Sequence, residues 1–197
     1  MEFEVGRLRS SCGDANLPVH IRGSRPLPQF LEFPIRGYPV KFWLKESPSV
    51  GLLIGNMLAQ HIKVVRRENI KFAENRAVMA LGDVVDGLQF AVTAKPEWYL
   101  VEREYPDTYK HTRRIARHCR TTLILMCEIA GADEFYRRLN VRCGLPIQPI
   151  PHYITMYTTS DNHSRGGVGL ADMQQFEKWT TRIEPSPDTA MLYDLLK

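Results

Sequence analysis

The stretch Pro149-Ile150-Pro151-His152-Tyr153-Ile154-Thr155-Met156-Tyr157-Thr158-Thr159 decides how this chain is read. β-branched and aromatic residues fill it and two prolines stand at its entrance, so it predicts a strand. Just upstream, Asp133 heads a segment in which Phe135, Leu139 and Cys143 recur at every fourth position, and Gly144 follows. That spacing predicts an amphipathic helix capped by Asp133 and stopped by the glycine. Before the helix, residues 121–129 form a nearly continuous apolar run, which predicts a strand buried on both faces.

Outward from this unit the chain keeps alternating. Downstream, residues 160–169 form a polar, glycine-rich loop that reads as a flexible turn first and a phosphate cradle second. Asp172 then caps a last helix carrying Met173, Phe176 and Trp179. Upstream, residues 17–23, 40–44, 61–65, 77–81, 88–93 and 98–102 read as strands, with a turn at Asp86-Gly87. Residues 50–60 read as a short helix weakened by Gly51 and Gly55. Residues 107–120, with Lys110, His111, Arg113, Arg114, Arg117, His118 and Arg120, read as a basic helix. The order predicts an α+β fold rather than a doubly wound parallel sheet. Residues 1–38, rich in Gly, Pro, Ser and Arg, read as an arm or extension. Residues 39–184 form the domain, and 185–197 a loosely held tail.

Composition excludes several classes. A formal charge of +4 suits a phosphate-bearing ligand, yet is also common in proteins that bind no nucleic acid. Cys12, Cys119, Cys127 and Cys143 form no CxxC, which argues against a zinc ribbon or a thioredoxin motif. His111, His118 and Cys119 have near-helical spacing, but no acidic partner completes a metal site. The N-terminus, Met1-Glu2-Phe3-Glu4, is acidic and lacks the apolar run of a signal peptide. No stretch approaches the roughly 18 apolar residues of a membrane span. A soluble, cytoplasmic protein is expected.

The tract from Thr121 to Thr159, with its buried strand, its helix Glu134-Phe135-Tyr136-Arg137-Arg138-Leu139-Asn140 and its Pro-His-Tyr-Ile-Thr-Met-Tyr-Thr strand, resembles the C-terminal half of the 2H phosphoesterases. That superfamily includes 2′-5′ RNA ligases and cyclic nucleotide phosphodiesterases. The resemblance implies a two-lobed fold, with antiparallel sheets flanked by helices around a central cleft. It also implies metal-independent attack, without cofactor, on a cyclic nucleotide phosphate or an RNA 2′-5′ or 2′,3′-cyclic phosphate. His61 and His152 would be the acid/base pair, and Lys63 and Thr155 would hold the phosphate. Tyr153 and Tyr157 would line the substrate. The implied partner is a nucleotide or RNA phosphate, with no metal and no membrane.

The sequence departs from the family pattern twice. His152 and Thr155 are three apart, so in an unbroken strand His152 shares a face with Ile154 and Met156, and Thr155 with Tyr153 and Tyr157. Tyrosine then stands where the family has histidine, unless a β-bulge beside Pro151 swings His152 round. In the other lobe the best match is His61-Ile62-Lys63, with lysine where Thr or Ser is expected; His20-Ile21-Arg22 is a poorer match in a proline-broken region. These departures motivate a second reading, a catalytically degenerate nucleotide- or RNA-binding protein on the same fold. A third is an unrelated α+β interaction protein.

Overall fold

The computed structural model describes residues 2–11, 14–22, 26–54, 57–108, 115–160 and 167–195. Along them run β1 (Glu2–Val5), β2 (Arg9–Ser11), β3 (Asp14–Arg22), β4 (Phe30–Ile35), β5 (Tyr38–Leu44) and β6 (Ser49–Leu53), then α1 (Met57–Arg66) and α2 (Ile70–Val85). β7 (Ala91–Thr108), β8 (Ile115–Ala130), α3 (Ala132–Cys143), β9 (Tyr153–Ser160), α4 (Met173–Trp179), β10 (Thr180–Ile183) and α5 (Ala190–Asp194) follow. The fold is α+β, built on one large antiparallel sheet in the order β1-β3-β6-β9-β8-β7-β10. The β4–β5 hairpin joins β9 through Trp43 and Leu44. β1 also lies against β7, so the two ends of the sheet curl toward each other.

The β8–α3–β9 unit is the centre of this arrangement. Leu123, Leu125, Cys127 and Ile129 alternate along β8 into the main core, where Phe135, Tyr136 and Leu139 of α3 meet them. Each such apolar side chain contributes about 1.5–3 kcal/mol on burial. Gly144 ends α3 in the left-handed region (φ 64°), and its N–H donates to Asn140 O at 2.8 Å. Gly131, not Asp133, occupies the N-cap position. Asp133 lies in the first turn, where its charge still complements the helix dipole. Asp172 does cap α4, accepting from the Gln175 N–H at 2.7 Å.

Four local expectations are corrected. Residues 61–65 belong to α1, which buries Leu58, Ala59 and Ile62 and leaves Val64 and Val65 in solvent. Residues 77–81 lie inside α2, whose Ala73, Ala77, Ala80, Leu81 and Val84 recur at helical spacing; Asn69 caps it by accepting from the Lys71 N–H. Residues 50–53 are strand, hydrogen-bonded between β3 and β9. The described parts of 107–120 are strand too, with Asp107 opposite Ala116 and Thr108 opposite Ile115, while residues 109–114 lie outside the described residues.

The two chain ends are also part of the fold. Ala15, Leu17 and Val19 of β3 are buried in the core, so much of the first 38 residues packs into the sheet. The tail forms α5, whose Leu192 is fully buried and whose Tyr193 hydroxyl donates to Ile183 O at 2.6 Å.

Candidate functional site

β9 has two faces of different chemistry. Ile154, Met156 and Tyr157 enter the main core with the helices. Tyr153 enters a smaller cluster with Val101, Ile124, Val168, Leu170 and Phe176. Thr155 points the same way as Tyr153, because a Cβ on Gly167 would come within 3.0 Å of both Thr155 Oγ1 and Cγ2. Glycine at 167 is therefore what lets the loop backbone rest on Thr155. The register slips here: Ile124 opposes Thr155, but Leu123 opposes Tyr157. Met156 is the extra residue of a β-bulge, which turns Tyr157 onto the core face. The bulge falls after Thr155 rather than beside Pro151, so it does not bring His152 and Thr155 together.

His152 stands on the α3 side of the sheet. Its ring stacks on Tyr136 with centroids 6.3 Å apart and planes 12° from parallel. Its carbonyl accepts from the Cys127 N–H at 3.1 Å, extending the β8–β9 ladder by one bond. Burial holds its pKa below the usual histidine value, opposed by the nearby charge of Asp133. The imidazole is thus biased toward its neutral form, and its buried Nε2 has no hydrogen-bond partner among the described residues. Tyr136, which orients it, donates its hydroxyl to Leu52 O at 2.6 Å, and burial pushes its pKa up to about 12.

Tyr153 takes the place beside Thr155. Its hydroxyl donates to Val168 O at 3.0 Å and accepts from the Leu170 N–H at 2.8 Å, and burial drives its pKa upward. It serves as a clamp on the 167–170 segment. Tyr157 donates to Pro28 O at 3.2 Å from the main core, on the other face.

The same face of β7 and β8 carries residues that the sequence reading had not brought together. Arg103 lies over the rings of Tyr105 (4.9 Å) and Trp179 (4.1 Å), and Arg120 over Tyr105 (4.8 Å). His118 stacks on Tyr105 at 5.8 Å and 21°. Arg103 donates to Gly169 O and Arg120 to Gly167 O, tying the loop to the sheet. Each such bond uses one of the five N–H groups of a guanidinium. The sequence signal was the alternation Arg103/Tyr105 and His118/Arg120, which on strands puts each pair on one face. Reading 107–120 as a helix obscured it.

His61 and Lys63 are exposed on α1. Two residues apart on a helix, they point to different sides and cannot grip one phosphate as neighbours on a strand would. A groove of about 880 Å³ lies between the β1–β2 turn and the end of α2, lined by Arg7, Asp83, Asp86 and Gln89 among others; it contains none of the predicted site residues. Among the described residues, no group of three or more His, Cys, Asp or Glu is placed to hold a metal, and no helix is long and apolar enough to cross a membrane. No protein-family model, curated protein or solved structure matches the chain.

Proposed function

We propose that the chain binds a nucleotide or RNA phosphate at the root of the β7–β8 ribbon, without turning it over. The assembly of Arg103, Tyr105, His118, Arg120 and Trp179 carries this reading. Arginines interleaved with aromatic rings suit stacked bases and phosphates in the same groove. The surrounding sequence adds to it. Residues 102–120 hold Arg103, Lys110, Arg113, Arg114, Arg117 and Arg120 against Glu102, Glu104 and Asp107, a net of three of the chain's four positive charges. Beyond Arg103 and Arg120, β7 and β8 pair only with each other among the described residues, forming a two-stranded ribbon. Fluorescence anisotropy with a labelled single-stranded oligoribonucleotide tests this. Binding should weaken steadily as salt rises, with a slope of about 0.7 per phosphate neutralised.

A second reading, a metal-independent phosphodiesterase of the two-lobed 2H kind, is favoured by one observation, the buried, unpartnered Nε2 of His152. A neutral imidazole suits a general base. In this reading His152 exchanges protons with substrate, and the other expected residues, His61, Lys63, Tyr153, Thr155 and Tyr157, would have to be brought to it from other elements and faces by a rearrangement. The opposite placements of His152 and Thr155 support binding over turnover. Hydrolysis of a 2′,3′-cyclic nucleotide in the presence of a chelator, lost in His152→Ala, would favour the enzyme.

A further inference from the structure

Helices α1, α2 and α3 enclose a hollow away from the ribbon. It is lined by Ile62 and Arg66 from α1, by Arg76, Met79 and Ala80 from α2, and by Arg142 and Cys143 from α3, and has a volume of about 80 Å³. A water needs about 10–15 Å³ of such space, so the hollow has room for several waters or one tetrahedral oxyanion.

Its charge is unusual for its size. Arg76 Nε pairs with Glu68 at 3.0 Å, and Arg142 Nη2 with Asp83 at 2.8 Å. Arg66 makes no ion pair among the described residues. The dipole of α1 explains one cation in its last turn. It does not explain arginines from three helices around a single hollow. Two pairs still leave an excess positive charge, and Arg76 and Arg142 keep unused N–H donors. Ile62 and Ala80 are buried beneath the arginines and form an apolar floor.

We propose that Arg66, Arg76 and Arg142 form a binding site for a phosphate-type oxyanion, either inorganic phosphate or the phosphoryl group of a phosphomonoester. Planar, forked guanidinium groups recognise tetrahedral oxyanions through paired N–H donors. Ester substituents would point out of the hollow into solvent. The site is on the helix side of the sheet and stands independently of the ribbon.

Cys143 lines the hollow and supplies a reporter. Its thiol is raised by burial, with Arg142 and Arg66 pulling the other way. The experiment follows iodoacetamide alkylation of Cys143 by mass spectrometry in the full chain, titrated with inorganic phosphate or with a nucleoside monophosphate at constant ionic strength. Either ligand should slow alkylation saturably, at least tenfold, while chloride does not. Protection by phosphate identifies the free anion as sufficient, and protection by the monophosphate alone identifies the ester. Arg66→Gln should raise the half-protecting concentration at least tenfold, with the slow alkylation of buried Cys127 unchanged as a check on folding. Alkylation of Cys143 indifferent to both ligands, or protection with the same midpoint in Arg66→Gln, overturns the proposal.

Discussion

The two faces of β9 are held by different physics. On the helix side Ile154, Met156 and Tyr157 meet Leu123, Leu125 and the residues of α3 in a dry core. On the other side Tyr153, Thr155, Arg103 and Arg120 hold the 167–170 segment through hydrogen bonds, ring contacts and one close glycine approach. The first face is secured by area removed from water, which is non-directional. The second depends on a few placed atoms, each with an identifiable partner. A binding surface is more readily built on the second, because its polar groups are already oriented and partly exposed. The contrast can be tested one contact at a time.

The largest effect should come from the dry face. Leu125→Ala is expected to cost about 2–5 kcal/mol by chemical denaturation, since it removes a fully buried side chain and leaves a cavity. A cost near that of a surface substitution would show that this face is not the dry core described. On the polar face, Tyr153→Phe is expected to cost about 1–3 kcal/mol, because it strands Val168 O and the Leu170 N–H. Gly167→Ala should cost about 1 kcal/mol, because the new methyl would lie 3.0 Å from Thr155 Oγ1 and Cγ2 and the loop or the threonine must give by a few tenths of an ångström. In a Thr155→Ala background the same change should cost much less, and a double-mutant cycle with no coupling between 155 and 167 would disprove the contact.

The smallest stability effect concerns pH. His152 is depressed in the folded state, so below its unfolded pKa the unfolded chain takes up a proton that the folded chain resists. Stability present above about pH 6.5 should fall as pH drops through the folded pKa. Thermal melts between about pH 7.5 and about pH 5.5 should show this fall, and it should be smaller in His152→Phe. Equal pH sensitivity in the two proteins would remove His152 from the account.

How much of this was legible in the sequence depends on where one looks. The Phe135/Leu139 repeat and the Gly144 stop were readable because period and punctuation agreed. So was the Asp172 cap, a local side-chain-to-backbone bond. Residues 61–65 misled because Ile62, Val64 and Val65 are β-branched. The helix is fixed instead by Leu58, Ala59 and Ile62 meeting the core, a tertiary effect that overrides local preference. In α2 the signal was present, and a window as short as Ala77–Leu81 cut the Ala73-to-Val84 periodicity in two. The bulge at Met156 had no sequence mark, as neither glycine nor proline accompanies it. Counting along an unbroken strand therefore gave the right face for His152 and Thr155 and the wrong one for Tyr157. The arginine–aromatic assembly was hidden because it joins residues from β7, β8 and α4 that only the fold brings together.

The central claim is that the root of the β7–β8 ribbon, on the polar face, binds phosphate-bearing strands. It is tested most directly by the salt dependence of single-stranded RNA binding in the wild type and in an Arg103→Gln/Arg120→Gln double variant. The account predicts measurable binding by the wild type, and a salt slope smaller by about 1.4 in the variant if both arginines neutralise phosphates. Binding that is absent, insensitive to salt or unchanged in the variant would contradict it.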